Sequence, residues 1–342
     1  MKEKPALSNL LALDCASEAQ RIGQSIRDSI LGLFKKKGVV VALSGGIDSS
    51  VVGALAVRAL GSDRVFGLLM PERDSSPETL SLSRQVAEHL GVRIVHEDIT
   101  PILEAAGCYR HRDEAIKSVI PEFGPGWKSK IVLPGVLDAD QYRFFSVVAE
   151  SPSGERVQAR LSLEAYLGVV AATNLKQRTR KMLEYYHADR LNYGVSGTPN
   201  RLEYDQGFFV KLGDGAADIK PIAHLYKTQV YQMAEFLKLP EVIQRRTPTT
   251  DTYSLAQTQE EFYFSVPYRQ MDVILCGKNN GFTAAELGQY CGLAAEQIER
   301  VFRDIESKRL AACYLHAPPV LVEEMLCPSE KCTWSQACPL DR

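Results

Sequence analysis

The chain has 342 residues, 45% apolar and 24% charged, with a net charge of −2. A chain this long holds one large domain or two modest ones, and its near-neutral balance gives no global reason to expect a nucleic-acid or membrane partner. No apolar run approaches the roughly 20 residues that span a bilayer.

The start, Met1-Lys2-Glu3-Lys4-Pro5, leads into helix-like sequence rather than a signal-peptide core, so a cytoplasmic location is expected. Cysteines at 15, 108, 276, 291 and 313 are scattered, which suits reduced thiols better than a disulfide scaffold.

In chain order, residues 6 to 34 place Leu10, Leu13, Ile22, Ile26, Ile30 and Leu33 at helical spacing. They predict a helix that covers one face of a sheet or pairs with a second subunit. Val39-Val40-Val41-Ala42-Leu43 reads as a buried strand of a parallel sheet. Ser44-Gly45-Gly46-Ile47-Asp48-Ser49-Ser50 then turns the chain into a helix. Glycine permits the tight turn, and a helix N-terminus beyond it offers N–H groups and the positive dipole end to one spot, which suits a phosphate. A strand-turn-helix corner with ordinary capping serines is the plainer account. Residues 64 to 71 read as a second strand. Residues 76 to 90 follow as a helix, with Ser76 as N-cap, Pro77 at the first position and Gly91 as stop, and residues 92 to 99 as a third strand. This alternation predicts an α/β fold, a doubly wound parallel sheet with flanking helices, whose ligands lie beyond the carboxyl ends of the strands.

From about 107 to 165 the alternation fades, and residues 144 to 148 and 157 to 161 flank a polar turn as a β-hairpin would. We read this stretch as an insertion. Residues 174 to 186 predict an amphipathic helix with Leu175, Met182, Leu183 and Tyr186 buried, Arg178 turned toward a phosphate, and Lys176 and Lys181 on a solvated face. From Tyr193 the chain predicts a strand ending in Gly197-Thr198, and a helix start containing Glu203 follows. Residues 207 to 221 then gather glycines, Lys211, Asp214, Asp218 and Lys220, charges that are costly to bury unless they meet a metal or a charged ligand.

The loop pattern Ser-Gly-Gly-x-Asp-Ser-Ser lacks the lysine of the P-loop and resembles the pyrophosphate loop of the ATP pyrophosphatases. With it stand Arg178-x-Arg180, Gly197-Thr198-x-Asn200-x-x-Glu203 and Gly207-x-Phe209-x-Lys211-x-Gly213-Asp214-Gly215-x-x-Asp218-Ile219-x-Pro221. Later come Leu225-Tyr226-Lys227-Thr228, Pro248-Thr249 and Lys308-Arg309. Together they resemble NAD synthetase, over about residues 20 to 310 apart from the insertion.

That resemblance implies three parts: residues 1 to 37 as an N-terminal helical segment, 38 to 310 as the synthetase domain, and 311 to 342 as a cysteine-containing tail. It implies a carbon–nitrogen ligase that adenylates the carboxylate of nicotinic acid adenine dinucleotide (deamido-NAD) with ATP and displaces AMP with ammonia. The extra domain of the glutamine-dependent enzymes does not precede the strand at Val39, so free ammonia, or ammonia from a separate amidotransferase, is the expected donor. By resemblance, Ser44, Gly45, Gly46, Asp48, Ser49, Ser50, Arg178, Thr198, Lys227 and Thr249 contact ATP. Asp48 and Glu203 hold Mg2+. Arg178, Lys211, Asp214, Lys308 and Arg309 contact deamido-NAD, the last two from a C-terminal loop that closes over the site. Asp48, Lys211, Lys227 and Thr249 are the expected catalytic set, and a homodimer is the expected assembly. The chain departs from the family at Ser307, where histidine often stands, and at residues 250 to 253.

Two rival readings are an amide ligase or sulfur-transfer enzyme of the same group that adenylates another acid, and a silent nucleotide-binding subunit. Cys327, Cys332 and Cys338 match no common metal spacing. A flexible tail, a metal or cluster site and a redox pair all remain open for them.

Overall fold

The computed structural model describes residues 4–133, 135–137, 144–246, 252–258, 263–264 and 266–323. Thr249 and the tail cysteines Cys327, Cys332 and Cys338 lie outside the described residues.

Helix α1 (Cys15–Arg27) precedes strand β1 (Val39–Ala42). Then come α2 (Ile47–Leu60), β2 (Val65–Leu69), α3 (Pro77–Leu90) and β3 (Arg93–His96). The expected caps of α3 are present: Ser76 accepts from the Glu78 N–H, Pro77 opens the helix, and Gly91 ends it in the left-handed region. Short helices α4 (Thr100–Ala105) and α5 (Cys108–Lys117) lead to β4 (Lys128–Val132), β5 (Ser146–Glu150) and β6 (Arg156–Arg160). The hairpin expected from the pattern is β5 paired antiparallel with β6, and β4 pairs on its other side to make a separate three-stranded sheet.

The second half opens with α6 (Leu163–Leu191) and β7 (Gly194–Ser196), followed by α7 (Arg201–Gln206) and α8 (Lys227–Phe236). After α9 (Glu241–Arg245), helices α10 (Tyr268–Asn279), α11 (Ala284–Cys291) and α12 (Ala295–His316) pack on one another around Met271, Leu275, Leu287, Ile298 and Val301. Helix α12 runs on to His316, across the boundary expected at residue 310.

The main sheet is parallel, in the order β3-β2-β1-β7. Strand order runs outward from β1 through β2 to β3 and then resumes on the other side of β1 with β7. This reversal opens a crevice at the carboxyl ends of β1 and β7. Val39, Val40 and Val41 are fully buried, as a central strand covered on both faces requires. Ala19, Ile22 and Ile26 of α1 join the same core as α2 and β1, so the N-terminal helix is an integral part of that layer.

Helix α6 differs most from expectation. It runs for 29 residues, more than twice the predicted span, and Met182 and Tyr186 are 55% and 59% exposed rather than buried. The two lysines assigned to its solvated face are buried. Lys176 donates to Glu72 at 2.9 Å, to Asp74 at 2.8 Å and to the Thr252 carbonyl at 2.9 Å, and Lys181 pairs with Glu184 at 2.6 Å. A buried ammonium needs such partners to offset its lost hydration.

Candidate functional site

A cavity of about 820 Å³ occupies the crevice. Its floor is the turn between β1 and α2. Gly45 has φ +69°, and a Cβ there would stand 2.9 Å from the Leu82 Cβ, so only glycine satisfies both the backbone and α3. The serines fold the turn on itself. The Ser44 N–H donates to Ser49 Oγ at 3.2 Å, the Gly46 N–H donates to Ser44 Oγ at 3.3 Å, and Ser49 Oγ donates to the Gly46 carbonyl at 3.1 Å. Helix α2 has no side-chain cap at Gly46. Its first N–H groups, those of Ile47, Asp48 and Ser49, therefore face the crevice as an anion site.

Above this floor three charged groups meet. Asp48 accepts from the Lys227 ammonium and, at 3.0 Å, from Asn200 Nδ2. Asn200 also caps α7, with its own N–H bonded to Glu203 Oε2 at 3.1 Å, so the capping box that starts the helix also fixes the Glu203 carboxyl. Burial, together with the Asp48 charge, pushes Glu203 up to about 8. Burial opposes the charge on Lys227, but Asp48 and Glu203 outweigh it and hold the lysine above its ordinary value.

Two close oxygen ligands, one of them reluctant to ionise without an added positive charge, fit a hard cation that keeps waters and shares phosphate oxygens. Among the described residues no third metal-ligating side chain joins them.

The cavity wall is one face of α6. Tyr166, Val170, Thr173, Asn174, Gln177, Arg180, Lys181 and Glu184 line it, as a helix turning about 100° per residue dictates. Arg178 falls off this face, and its Nε donates to the Lys211 carbonyl at 3.4 Å. Of the two, Arg180 faces the cavity, anchored at 3.2 Å to the Met70 carbonyl at the end of β2.

Opposite, Asp214 lines the cavity and accepts from the Val210 N–H at 2.8 Å, with burial holding its carboxyl above the usual range. Thr198, Ser307 and Lys308 line it too. Arg246, which the sequence did not single out, lines the same cavity while donating to the Gly45 carbonyl at 3.2 Å and to Thr79 Oγ1 at 3.3 Å.

The chain matches the NAD synthase family model over residues 18–120 and 155–311. It is 58% identical to the NH3-dependent NAD+ synthetase of Rhizobium meliloti (strain 1021), over 92% of this chain and 94% of that protein. It is also 36% identical to that of Thermotoga maritima, over 73% and 85%. The chain belongs to the NAD synthase family.

The fold agrees. A solved NH3-dependent NAD synthetase from Campylobacter jejuni, 21% identical, superposes with a TM-score of 0.60 over 91% of this chain and all of that one. An NMN synthetase from Francisella tularensis, 22% identical, gives 0.63 over 90% and 98%. Family membership makes the chain a carbon–nitrogen ligase, and the relatives give no support to a sulfur-transfer enzyme or to an amide ligase for another acid. The family model leaves residues 121–154 unmatched, the interval that holds β4 and β5.

Several residues that the NAD synthetase resemblance placed at the site do not line the cavity. Gly45 packs on α3, and Ser50 is buried with its Oγ bonded to the Gly46 carbonyl at 2.8 Å. Lys211 donates to the carbonyls of Tyr314 and Ala317 at 2.7 and 3.0 Å, closing the negative end of α12 instead of reaching the cavity. Lys308 and Arg309 are on α12, not on a loop. Arg309 is held by Asp205 at 2.6 Å and Asn279 at 2.6 Å, whereas Lys308 faces the cavity while bonded to the Tyr263 carbonyl at 2.7 Å.

Proposed function

We infer that this chain makes NAD by amidating deamido-NAD with ammonia at the expense of ATP, and that Ser44, Gly46, Ser49, Asp48, Thr198, Glu203 and Lys227 form the reacting end of its cavity. The observation that carries this assignment is the meeting of Asp48, Lys227 and Glu203 above the free N-terminus of α2.

In the first step a carboxylate oxygen of the pyridine ring attacks the α-phosphorus. The new O–P bond forms as the bond to the β-phosphate oxygen breaks, and pyrophosphate departs. In the second, ammonia adds to the acyl carbon, loses a proton, and expels AMP. Both steps need charge stabilisation rather than a protein nucleophile. The N–H groups at the start of α2 face the departing pyrophosphate, and the Lys227 ammonium sits between Asp48 and the reacting phosphate. Asp48 and Glu203 are the residues that would hold Mg2+, which when bound neutralises charge on the leaving group. A homodimer in the cytoplasm, as the resemblance implies, completes the proposal, with ammonia supplied free or by a separate amidotransferase.

The purified protein with ATP, Mg2+, deamido-NAD and ammonium is expected to yield NAD, AMP and pyrophosphate in equal amounts, and glutamine alone to support none. Pyrophosphate release without NAD would overturn the assignment. Sedimentation of the purified protein tests the dimer.

A further inference from the structure

Helix α8 begins without a cap of its own. Its N-cap residue, Tyr226, gives the first turn no side-chain cap, and its hydroxyl accepts instead from Nδ2 of Asn279, the last residue of α10, at 3.3 Å. The N–H groups that open the helix, which have no partner within it, are taken by a carboxylate from α10. Asp272 is fully buried. Its Oδ1 accepts from the Lys227 N–H at 3.2 Å, and its Oδ2 accepts from the Thr228 N–H at 2.6 Å and from the Thr228 hydroxyl at 2.5 Å. Burial pushes Asp272 up to about 6, although these donors pull the other way, so at neutral pH the carboxylate is charged against the positive end of α8.

The residue held in this way is Lys227, the first of α8, whose ammonium pairs with Asp48. A lysine stem is flexible along four carbons, so where its charge comes to rest depends on how firmly its backbone is fixed. Here the lysine is strung between two anchors, Asp272 of α10 at its N–H and Asp48 of α2 at its tip. Asp272 does not itself line the cavity.

We propose that Asp272 is a positioning residue for the reaction: by capping α8 from α10 it fixes the backbone from which Lys227 reaches the reacting phosphate. This rests on the functional reading above. Such an effect passes through the Lys227 ammonium, which sets it apart from a plain contribution to folding.

A double-mutant cycle tests it, with kcat and KM for NAD formation measured in Asp272→Asn, in Lys227→Ala and in the two combined. The asparagine keeps one acceptor oxygen but turns an NH2 group toward the N–H groups of α8. In the otherwise native protein Asp272→Asn is expected to lower kcat ~10-fold, the scale of a misplaced reacting group, and to leave KM for deamido-NAD within about twofold. Added to Lys227→Ala, it should cost less than about twofold. An equal loss in both backgrounds would show that Asp272 only supports the fold and would overturn the proposal. An unchanged kcat, or a loss confined to KM for deamido-NAD, overturns it too. Thr228→Val removes only the hydroxyl donor and keeps the test decisive should Asp272→Asn fold poorly: a loss of about threefold in kcat is expected, again absent beside Lys227→Ala. NAD formation by the wild type is measured first. Its absence sinks the functional reading and the positioning role together, whereas its presence with equal losses in both backgrounds sinks the positioning role alone.

Discussion

Two buried charge clusters, both reached by a lysine, behave in opposite ways. In one, Lys176 and Arg112 face Glu72 and Asp74, with Arg112 at 2.5 Å from Asp74 and Tyr109 donating to Glu72 at 2.8 Å. Two cations meet two anions. Burial alone would raise Asp74, yet Lys176 and Arg112 hold it below the ordinary carboxylate range. In the other, a single ammonium, Lys227, faces Asp48 and Glu203, and the surplus carboxyl is forced up to about 8. A balanced cluster ties α5 and α6 to the loop after β2 and asks for nothing more. An unbalanced one, opening on a cavity beside a bare helix N-terminus, is built to receive charge from outside.

The largest expected effect follows from unbalancing the site further. Lys227→Ala is expected to lower kcat/KM for NAD formation on the order of 10³-fold, the scale of losing one preorganised charge, while circular dichroism stays that of the wild type. Retention of even a tenth of the activity would mean that the lysine does not face the reacting phosphate.

Lys176→Met breaks the balanced cluster and should act on folding instead. Leaving Glu72 and Asp74 without their buried partner costs about 3–5 kcal/mol, visible as a lowered urea midpoint. An unchanged midpoint would show that the network is dispensable.

A smaller effect separates the clusters by pH. Glu203 titrates at about 8 in the folded chain against an ordinary value of 4.5. The stability linked to its neutral form is complete below about pH 4.5, declines as pH rises through the window, and is gone above about pH 8. Melting temperatures of the ligand-free protein should carry that downward contribution between about pH 4.5 and 8. Glu203→Gln, whose amide oxygen can still accept from Asn200, should remove it, and identical pH profiles would refute the shift.

The smallest contrast lies within α6. Arg180→Ala should reduce kcat/KM about tenfold and Arg178→Ala less than twofold. The reverse order would place Arg178 at the cavity after all.

What was legible in the sequence was local. The strand at Val39, the turn at Ser44, the caps of α3 and the helix start that contains Glu203 each rest on residues a few positions apart, and the structure contains them at those places. The charged residues were harder to place. Lys176 read as solvent-facing because its partners Glu72 and Asp74 lie about a hundred residues away. Arg178 and Arg180 differ only in helical phase, and a phase taken from 13 residues misplaced a helix that is covered on several sides along its 29. Lys211 could not be seen as the closure of α12, because nothing near it in sequence announces a helix end more than a hundred positions on. Arg246 carried no motif, and only the packing of α9 against the first turn reveals it.

The length of α6 has a consequence for how this chain can change over time. One unbroken helix carries Tyr166 at one end of the cavity wall and the strand-end contact of Arg180 toward the other. Deleting a single residue between Val170 and Gln177 would rotate everything beyond it by about 100° and shorten the wall by about 1.5 Å. Tyr166 and Arg180, which line the cavity from opposite sides of that point, would then no longer share a face. Side chains along the cavity can be exchanged one at a time, but the spacing between them cannot drift, so variation in this helix should be confined to substitutions, while gains and losses of residues collect in the turns at either end.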